Sequence, residues 1–220
     1  MNDQAEVSAR LAALRLAIDD VARSWTHAVE IVAVTKGFPG IAIESALRAG
    51  CGIVGENYAQ EIQAKREVIE QCRPEVQFIG HLQTNKVRLV ADLVDLWASV
   101  DRPSLVKEIA RRDPGGRVLI QVNTTGEQSK SGCAPGEVSS LVEGARLGGL
   151  KVEGLMTVGP TGQPSEAARA GFKTLRSLVD AHDLATCSMG MTADALIAVE
   201  EGSTAIRIGT GLFGSRPPRT

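Results

Sequence analysis

Residues 31–57 of this chain are IVAVTKGFPGIAIESALRAGCGIVGEN. The first five residues are apolar or β-branched, Lys36 follows them, and glycine and proline then break the run. This pattern predicts a buried strand that ends at an amine. Residues 41–49 predict a short helix that ends at a glycine, and a second apolar strand follows. The stretch therefore predicts a strand, a helix and a second strand, a unit typical of parallel sheets.

The same alternation continues along the rest of the chain. The predicted strands are 31–36, 51–57, 76–80, 93–100, 117–123, 152–158, 185–188 and 204–208. The predicted helices are 7–21, 41–49, 58–72, 86–91, one that starts at Pro103, 135–147, 165–181 and 193–201. We therefore expect an α/β protein with one (β/α)8 TIM-type barrel domain over residues 1–220 and an extra N-terminal helix. A doubly wound open sheet is the competing architecture.

Composition favours a small-molecule partner. The 220 residues carry a net charge of −2 with interspersed signs and only 3% aromatic residues, which argues against a nucleic-acid surface. The four cysteines form no CxxC pair, so we expect reduced thiols and no metal site. No secretory signal pattern or long apolar stretch is evident, so we expect a cytoplasmic protein without membrane contact.

Polar side chains lie at or just beyond the predicted strand ends, where parallel barrels place their active sites. They are Lys36, Asn57, His81, Asp101, Asn123, Ser188 and Arg207. Residues 188–192 are predicted to follow strand seven, and the glycine-rich residues 209–214 follow strand eight. Loops at these two positions commonly bind phosphate. The alternative is that both are ordinary turns, with Thr192 as a helix N-cap.

Lys36 also admits two interpretations. An amine in low-dielectric surroundings loses its proton readily and can form a Schiff base with a carbonyl compound. Alternatively, Lys36 is a rim lysine that extends into water. A Schiff-base lysine, a phosphate-binding turn and a strand-borne arginine together indicate pyridoxal 5′-phosphate (PLP) more closely than any one of them does.

Six ordered segments resemble those of the pyridoxal phosphate homeostasis protein family, whose barrel is similar to the N-terminal domain of alanine racemase. They are Ala33–Lys36, Gly55–Glu61, Phe78–Lys86, Gly154–Met156, Ser188–Asp194 and Arg207–Thr210. The resemblance runs from about residue 31 to residue 214. Thr35 stands where serine is frequent in the family, and Gln77 where histidine is common.

The resemblance implies a fold type III PLP-binding barrel with PLP as its cofactor. Lys36 would carry PLP as a Schiff base. Ser188, Gly209 and Thr210 would hold the phosphate, Arg207 would face the pyridine nitrogen, and Asn57 would line the ring pocket. Lys86 and Lys130 are interpreted as solvated surface lysines. No catalytic residue and no metal ligand is predicted.

We therefore expect a monomeric PLP-binding protein with little or no catalysis, which acts in PLP homeostasis and passes PLP to apo PLP-dependent enzymes. The chain is expected to end too soon after Phe213 to build the second domain that completes alanine racemase. The first alternative is an amino-acid racemase whose second base is Tyr58 or a lysine. A cofactor-free Schiff-base lyase and a structural barrel with an incidental lysine are the others.

Overall fold

Eight parallel strands form a closed barrel in the computed structural model of the chain, which describes residues 4–216. The strands are β1 (Glu30–Val34), β2 (Ile53–Glu56), β3 (Glu75–Phe78), β4 (Leu96–Val100), β5 (Arg117–Gln121), β6 (Lys151–Met156), β7 (Thr186–Met191) and β8 (Ala205–Ile208). Each strand pairs with the next one along the chain, and β8 pairs with β1. The predicted barrel is confirmed, and the open sheet is wrong.

Ten α-helices surround the barrel within residues 4–216. They are α1 (Gln4–Asp19), α2 (Ile41–Arg48), α3 (Ala59–Ala64), α4 (Arg66–Cys72), α5 (Thr84–Val90), α6 (Pro103–Arg112), α7 (Val138–Leu147), α8 (Arg169–Ala181), α9 (Ala195–Glu200) and α10 (Thr210–Phe213). Short 3₁₀ turns at Pro135–Glu137 and Ser165–Ala168 precede α7 and α8. None of the helices in this part of the chain is long and apolar enough to cross a bilayer.

Two apolar layers hold the barrel together, because its strands are covered on both faces. The inner layer consists of Leu96, Ala98, Leu119 and Met156, all buried. The outer layer lies between strands and helices, where the rings of Phe78 and Trp97 are 6.2 Å apart. Leu96 and Trp97 alternate across β4, as strand geometry requires, so one strand supplies both layers.

The extra N-terminal helix α1 packs on the outside of the barrel. Its buried residues Val7, Leu11 and Ile18 recur at steps of four and seven residues, and they join an apolar cluster with Phe38 and Phe213. The rings of Phe38 and Phe213 lie 5.2 Å apart. The helix thus covers the side of the barrel where the first and last βα units meet.

Two predicted boundaries differ from the structure near the cavity described below. The helix predicted over 58–72 is two helices that meet at Lys65, whose side chain is buried against Glu56. Strand β7 continues to Met191, so Ser188 lies within the strand and not in the loop after it. The apolar pattern of residues 58–72 shows no break at Lys65. The partner that buries Lys65, Glu56, belongs to a different element, so the helix sequence alone does not indicate the break.

Gly154 in β6 has no room for a side chain, because a Cβ atom there would overlap the Thr186 carbonyl oxygen of β7. We expect Gly154→Ala to lower the free energy of unfolding by about 1–3 kcal/mol, the usual cost of overpacking. Gly144→Ala is the matched control, because nothing lies within 4 Å of that helical position. The control should instead raise stability, by up to about 1 kcal/mol. Urea unfolding followed by circular dichroism measures both, and equal stabilities of the two variants would contradict the packing described.

Candidate functional site

A cavity of about 440 Å³ opens at the carboxyl ends of β1, β2, β7 and β8. Its polar and charged lining consists of Lys36, Asn57, Thr192, Arg207, Thr210 and Arg216, and its apolar lining includes Val34, Ile79, Val158 and Met191. The barrel thus brings together five of the six predicted site residues, namely Lys36, Asn57, Arg207, Gly209 and Thr210. Within residues 4–216, no group of three or more His, Cys, Asp or Glu side chains is placed to hold a metal ion.

Lys36 lies just beyond the end of β1 and is partly buried. Burial lowers the pKa of its amine, and the positive charges of Arg216 and Arg207 lower it further. Glu61 and Glu56 act in the opposite direction. The amine therefore gives up its proton more readily than a lysine that extends into water, which favours its nucleophilic form.

Arg207 is the buried cation of the site. Its Nη1 donates to Ser188 Oγ at 2.7 Å, and its Nη2 donates to the Thr157 carbonyl oxygen at 2.6 Å. Burial lowers the pKa of Arg207 to about 10, although the negative charge of Asp194 acts to raise it. The guanidinium therefore stays charged at neutral pH. Ser188 is buried and does not line the cavity. Its hydroxyl orients Arg207.

The loops after β7 and β8 are joined through Thr192. Its Oγ1 accepts a hydrogen bond from the Gly211 N–H at 3.2 Å and lies 3.5 Å from Thr210 Oγ1. Thr192 is not a helix cap. Asp194 precedes α9, and its Oδ1 accepts the Met191 N–H at 2.6 Å. Thr192 and Thr210 therefore present hydroxyl groups to the same side of the cavity.

Asn57 connects this cavity to a smaller one of about 220 Å³, which Tyr58, His81 and Lys86 also line. The Asn57 Oδ1 atom is buried and has no hydrogen-bond partner among residues 4–216. A Cβ atom on Gly80 would overlap the Asn57 carbonyl oxygen, so the chain segments after β2 and β3 touch at this point. A buried polar atom without a protein partner is costly unless a ligand or water satisfies it.

Lys130 is not the solvated surface lysine that the sequence suggests. Its side chain is 13% exposed, and its Nζ lies 3.0 Å from Glu127 Oε1. It also donates to the Gly159 carbonyl oxygen. The lysine thus ties the loop after β5 to the loop after β6.

Two of the polar lining residues, Thr192 and Arg216, were not predicted as site residues. Thr192 belongs to a segment that resembles the family, but helix capping explained its position equally well at the sequence level. Arg216 follows the last predicted strand, where no periodic pattern remains. Its Cδ lies 3.1 Å from the position that a Cβ atom on Gly37 would take, so Arg216 lies against the loop that follows Lys36. Only the folded chain brings these residues together.

Comparison with known proteins agrees with this geometry. The sequence profile described as "Alanine racemase, N-terminal domain" matches residues 10–217. A pyridoxal phosphate homeostasis protein from Pseudomonas aeruginosa is 38% identical over 195 residues, which cover 86% of this chain and 85% of the relative. This chain belongs to the pyridoxal phosphate homeostasis protein family. The family resemblance inferred from the six segments is thereby confirmed.

Comparison with solved structures agrees with this family assignment. PipY from Synechococcus elongatus with PLP bound is 30% identical and superposes with a TM-score of 0.81 over 94% of this chain and 100% of PipY. Alanine racemase from Corynebacterium glutamicum is 17% identical, with a TM-score of 0.75 over 98% of this chain and 62% of the racemase. The second likeness shows a shared barrel fold alone.

The partly buried Lys36 amine has a cost in stability that can be tested. We expect Lys36→Met to raise the free energy of unfolding of the cofactor-free protein at pH 7 by about 1 kcal/mol, because it removes a cation beside Arg207 and Arg216. Folding lowers the pKa of Lys36, so the charged amine opposes folding below its folded-state pKa. The extra stability of Lys36→Met over the parent should shrink as the pH rises from the folded-state pKa of Lys36 towards the ordinary pKa of lysine.

Urea unfolding at pH 7 and at about pH 10 measures this difference. Lys107→Met is the control, since Lys107 is exposed on α6 and its replacement should change stability by less than about 0.5 kcal/mol. A Lys36→Met variant that is no more stable than the parent at pH 7 would contradict the cost assigned to the amine.

Proposed function

We propose that this protein binds PLP covalently through the Lys36 amine and takes part in PLP homeostasis, with little or no catalysis of its own. The observation that carries the proposal is the pairing of a partly buried lysine amine with a buried arginine in one cavity. The names of its relatives and the PLP bound in PipY support it.

The cavity fits this cofactor in size and in chemistry. Its volume of about 440 Å³ lies within the usual range of small-molecule sites, about 300–1,000 Å³. It offers an amine for an aldehyde, hydroxyl groups and a cation for a phosphate, and the apolar side chains Val34, Ile79 and Val158 for a ring. The buried, unpartnered Asn57 Oδ1 would gain a partner from a polar group of the ligand or from water.

When bound, PLP supplies an electrophilic aldehyde carbon that a lysine amine can attack. Lys36 is suited to this because its amine loses a proton at lower pH than an exposed lysine does. Arg207 would face the ring nitrogen, and a guanidinium can only donate a hydrogen bond there. Arg207 would thereby keep that nitrogen unprotonated, which would weaken the ring as an electron sink and restrain carbanion chemistry.

The phosphate would lie against the loops after β7 and β8. Thr192, Gly209 and Thr210 line that side of the cavity, and Arg216 adds a positive charge near the Lys36 loop. For Ser188 we propose a role other than the expected contact with the phosphate. Because its hydroxyl accepts from Arg207 and lies outside the cavity lining, we propose that Ser188 acts through the orientation of Arg207.

Reduction with borohydride tests the covalent bond. We expect protein that has been mixed with PLP and reduced to gain the mass of one pyridoxyl phosphate group on the peptide that contains Lys36. Lys36→Ala should lose the added mass, and Lys107→Met, which changes an exposed lysine on α6, should keep it. Peptide mass spectrometry distinguishes these results. Retention of the covalent adduct by Lys36→Ala would remove Lys36 from the proposal.

The phosphate contact is tested by Arg216. We expect Arg216→Ala to weaken PLP binding at least about tenfold, since a charge-assisted contact with a phosphate contributes about 1.5–3 kcal/mol. Pyridoxal, which lacks the phosphate, should bind both proteins with similar affinity. Titrations followed by visible absorption measure both ligands. An equal loss of affinity for pyridoxal would show that Arg216 acts on something other than the phosphate.

An amino-acid racemase is the alternative function, and the alanine racemase fold is the observation in its favour. The candidate second base, Tyr58, lines the smaller neighbouring cavity and not the Lys36 cavity. Assays of alanine, serine and glutamate enantiomers with the PLP-loaded protein decide between the two. Turnover at ordinary enzyme rates, about 1 s⁻¹ or more, would overturn the carrier proposal.

The recipients of PLP would be apo forms of PLP-dependent enzymes, and we propose that the protein meets them as a cytoplasmic monomer. Mixing the PLP-loaded protein with an apo-aminotransferase tests the transfer, because recovery of aminotransferase activity reports it directly. A PLP-trapping enzyme added in excess separates direct transfer from release into solution. Light scattering measures the mass of the protein under the same conditions.

A further inference from the structure

Strand β2 and helix α3 contain two carboxylates to which the proposed function assigns no role. Glu56 ends β2 and is completely buried, and Glu61 lies in α3. Both face Lys65, which sits between α3 and α4 and is 7% exposed. The Lys65 Nζ lies 2.5 Å from Glu56 Oε1 and 3.6 Å from Glu61 Oε2. The three side chains form one ionic group, with Glu56 and Lys65 buried and Glu61 partly exposed, which we call the Lys65 cluster.

The Lys65 cluster holds the main chain on both sides of Lys36. The Lys65 Nζ donates to the Thr35 carbonyl oxygen at 2.9 Å. The Thr35 hydroxyl donates to Glu56 Oε1 at 2.7 Å, and the Gly37 N–H donates to Glu61 Oε2 at 2.7 Å. Each neighbour of Lys36 in the sequence is therefore bonded to a charged side chain from the next βα unit.

If the Lys65 cluster were purely structural, burying its charges would lower the stability of the fold for no return. Burial raises the pKa of Glu56, and the proximity of Lys65 offsets only part of that effect. Glu56 Oε2 has no hydrogen-bond partner among residues 4–216. Apolar side chains of similar volume commonly stabilise a protein as well as a buried ion pair does. Charges kept in such a place, next to a reactive amine, suggest a role at the site.

The cluster also changes the electrostatic environment of Lys36. Arg207 from β8 and Arg216 from the end of the chain lower the pKa of the Lys36 amine, in addition to burial. Glu61 and Glu56 raise it. With one lysine and two carboxylates, the cluster has a net negative charge when all three groups are ionised. It therefore opposes the two arginines that face the same amine.

We propose that Glu56, Glu61 and Lys65 are positioning residues for the capture of PLP by Lys36. They hold the Thr35–Gly37 main chain so that the amine faces the cavity, and their net charge sets the pH range over which the amine is free to react. The inference rests on the proposed function, because it concerns the same lysine.

Variants of Glu61 distinguish its effect on main-chain position from its effect on charge. Glu61→Gln keeps an oxygen that can accept the Gly37 N–H and removes the charge. We expect the variant to capture PLP at pH 7 about two- to fivefold faster than the parent, the range for loss of a partly exposed ion pair, with its pH–rate profile moved to lower pH. Glu61→Ala removes the acceptor as well. It should bind PLP more weakly than Glu61→Gln does.

Glu70→Gln is the matched control, since Glu70 lies on the exposed face of α4 and pairs with Arg66. Its rate and pH profile should equal those of the parent. Visible absorption after rapid mixing of cofactor-free protein with PLP measures each rate, and thermal unfolding of the same samples shows whether each variant is folded. A merely structural role for Glu61 would leave the pH profile in place, and that result would overturn the electrostatic part of the proposal.

The buried pair requires a double replacement, because Lys65→Met alone leaves the Glu56 carboxylate buried without a cation. Glu56→Gln with Lys65→Met removes both charges and keeps an acceptor for the Thr35 hydroxyl. We expect this variant to stay folded and to bind PLP at least about tenfold more weakly, because the Thr35 carbonyl oxygen loses its bond to Lys65. A folded double variant with the affinity and absorption spectrum of the parent would overturn the positioning role.

These outcomes are distinct from failure of the proposed function. If the parent protein forms no covalent bond to PLP, the proposed function fails first. If the parent and all cluster variants capture PLP with the same affinity, rate and pH profile, the proposed function stands and this inference is wrong.

Discussion

Closure of the parallel barrel is the constraint on which the site depends. Since every strand runs in the same direction, all eight deliver their carboxyl ends to one rim, and β8 pairs with β1 to complete it. Lys36 after β1 and Arg207 in β8 are 171 positions apart in the sequence, from 207 minus 36, yet they line one cavity. An open sheet would leave β1 and β8 without this shared edge.

The second constraint is the burial of positive charge beside a reactive amine. A guanidinium inside the barrel needs hydrogen-bond acceptors, and Arg207 finds them in Ser188 and the Thr157 carbonyl oxygen. Its charge and that of Arg216 both make the Lys36 amine less basic. The Lys65 cluster supplies opposing negative charge and holds the neighbouring main chain. An anionic ligand in the cavity would complete the balance, which agrees with the proposed binding of a phosphate ester.

The parts of this arrangement that are local in the sequence were predictable. The apolar run before Lys36 and its repetition along the chain predict eight strands, and parallel strands of this spacing favour a barrel. Lys36, Asn57, Gly209 and Thr210 line one cavity, and their place could be read from the sequence because each lies within two residues of the end of a strand. Ser188 was placed at the end of its predicted strand, since the serine, glycine and threonine of residues 188–192 resemble a turn more than a strand. Pairing with β8 continues the strand to Met191, across an irregularity in register between Ser188 and Met191.

The sequence by itself determined the alternation of strands and helices, the family, and the lysine that stands at the end of the first strand. Tertiary structure alone decided which polar groups meet. Lys65 bonds to Thr35 across 30 positions and Arg207 bonds to Thr157 across 50, and no pattern with a period of two or 3.6 residues carries such information. Whether a lysine in a charged helix faces water or a buried carboxylate depends on what the neighbouring βα unit brings against it. For that reason the cavity's chemistry emerges only when the barrel closes.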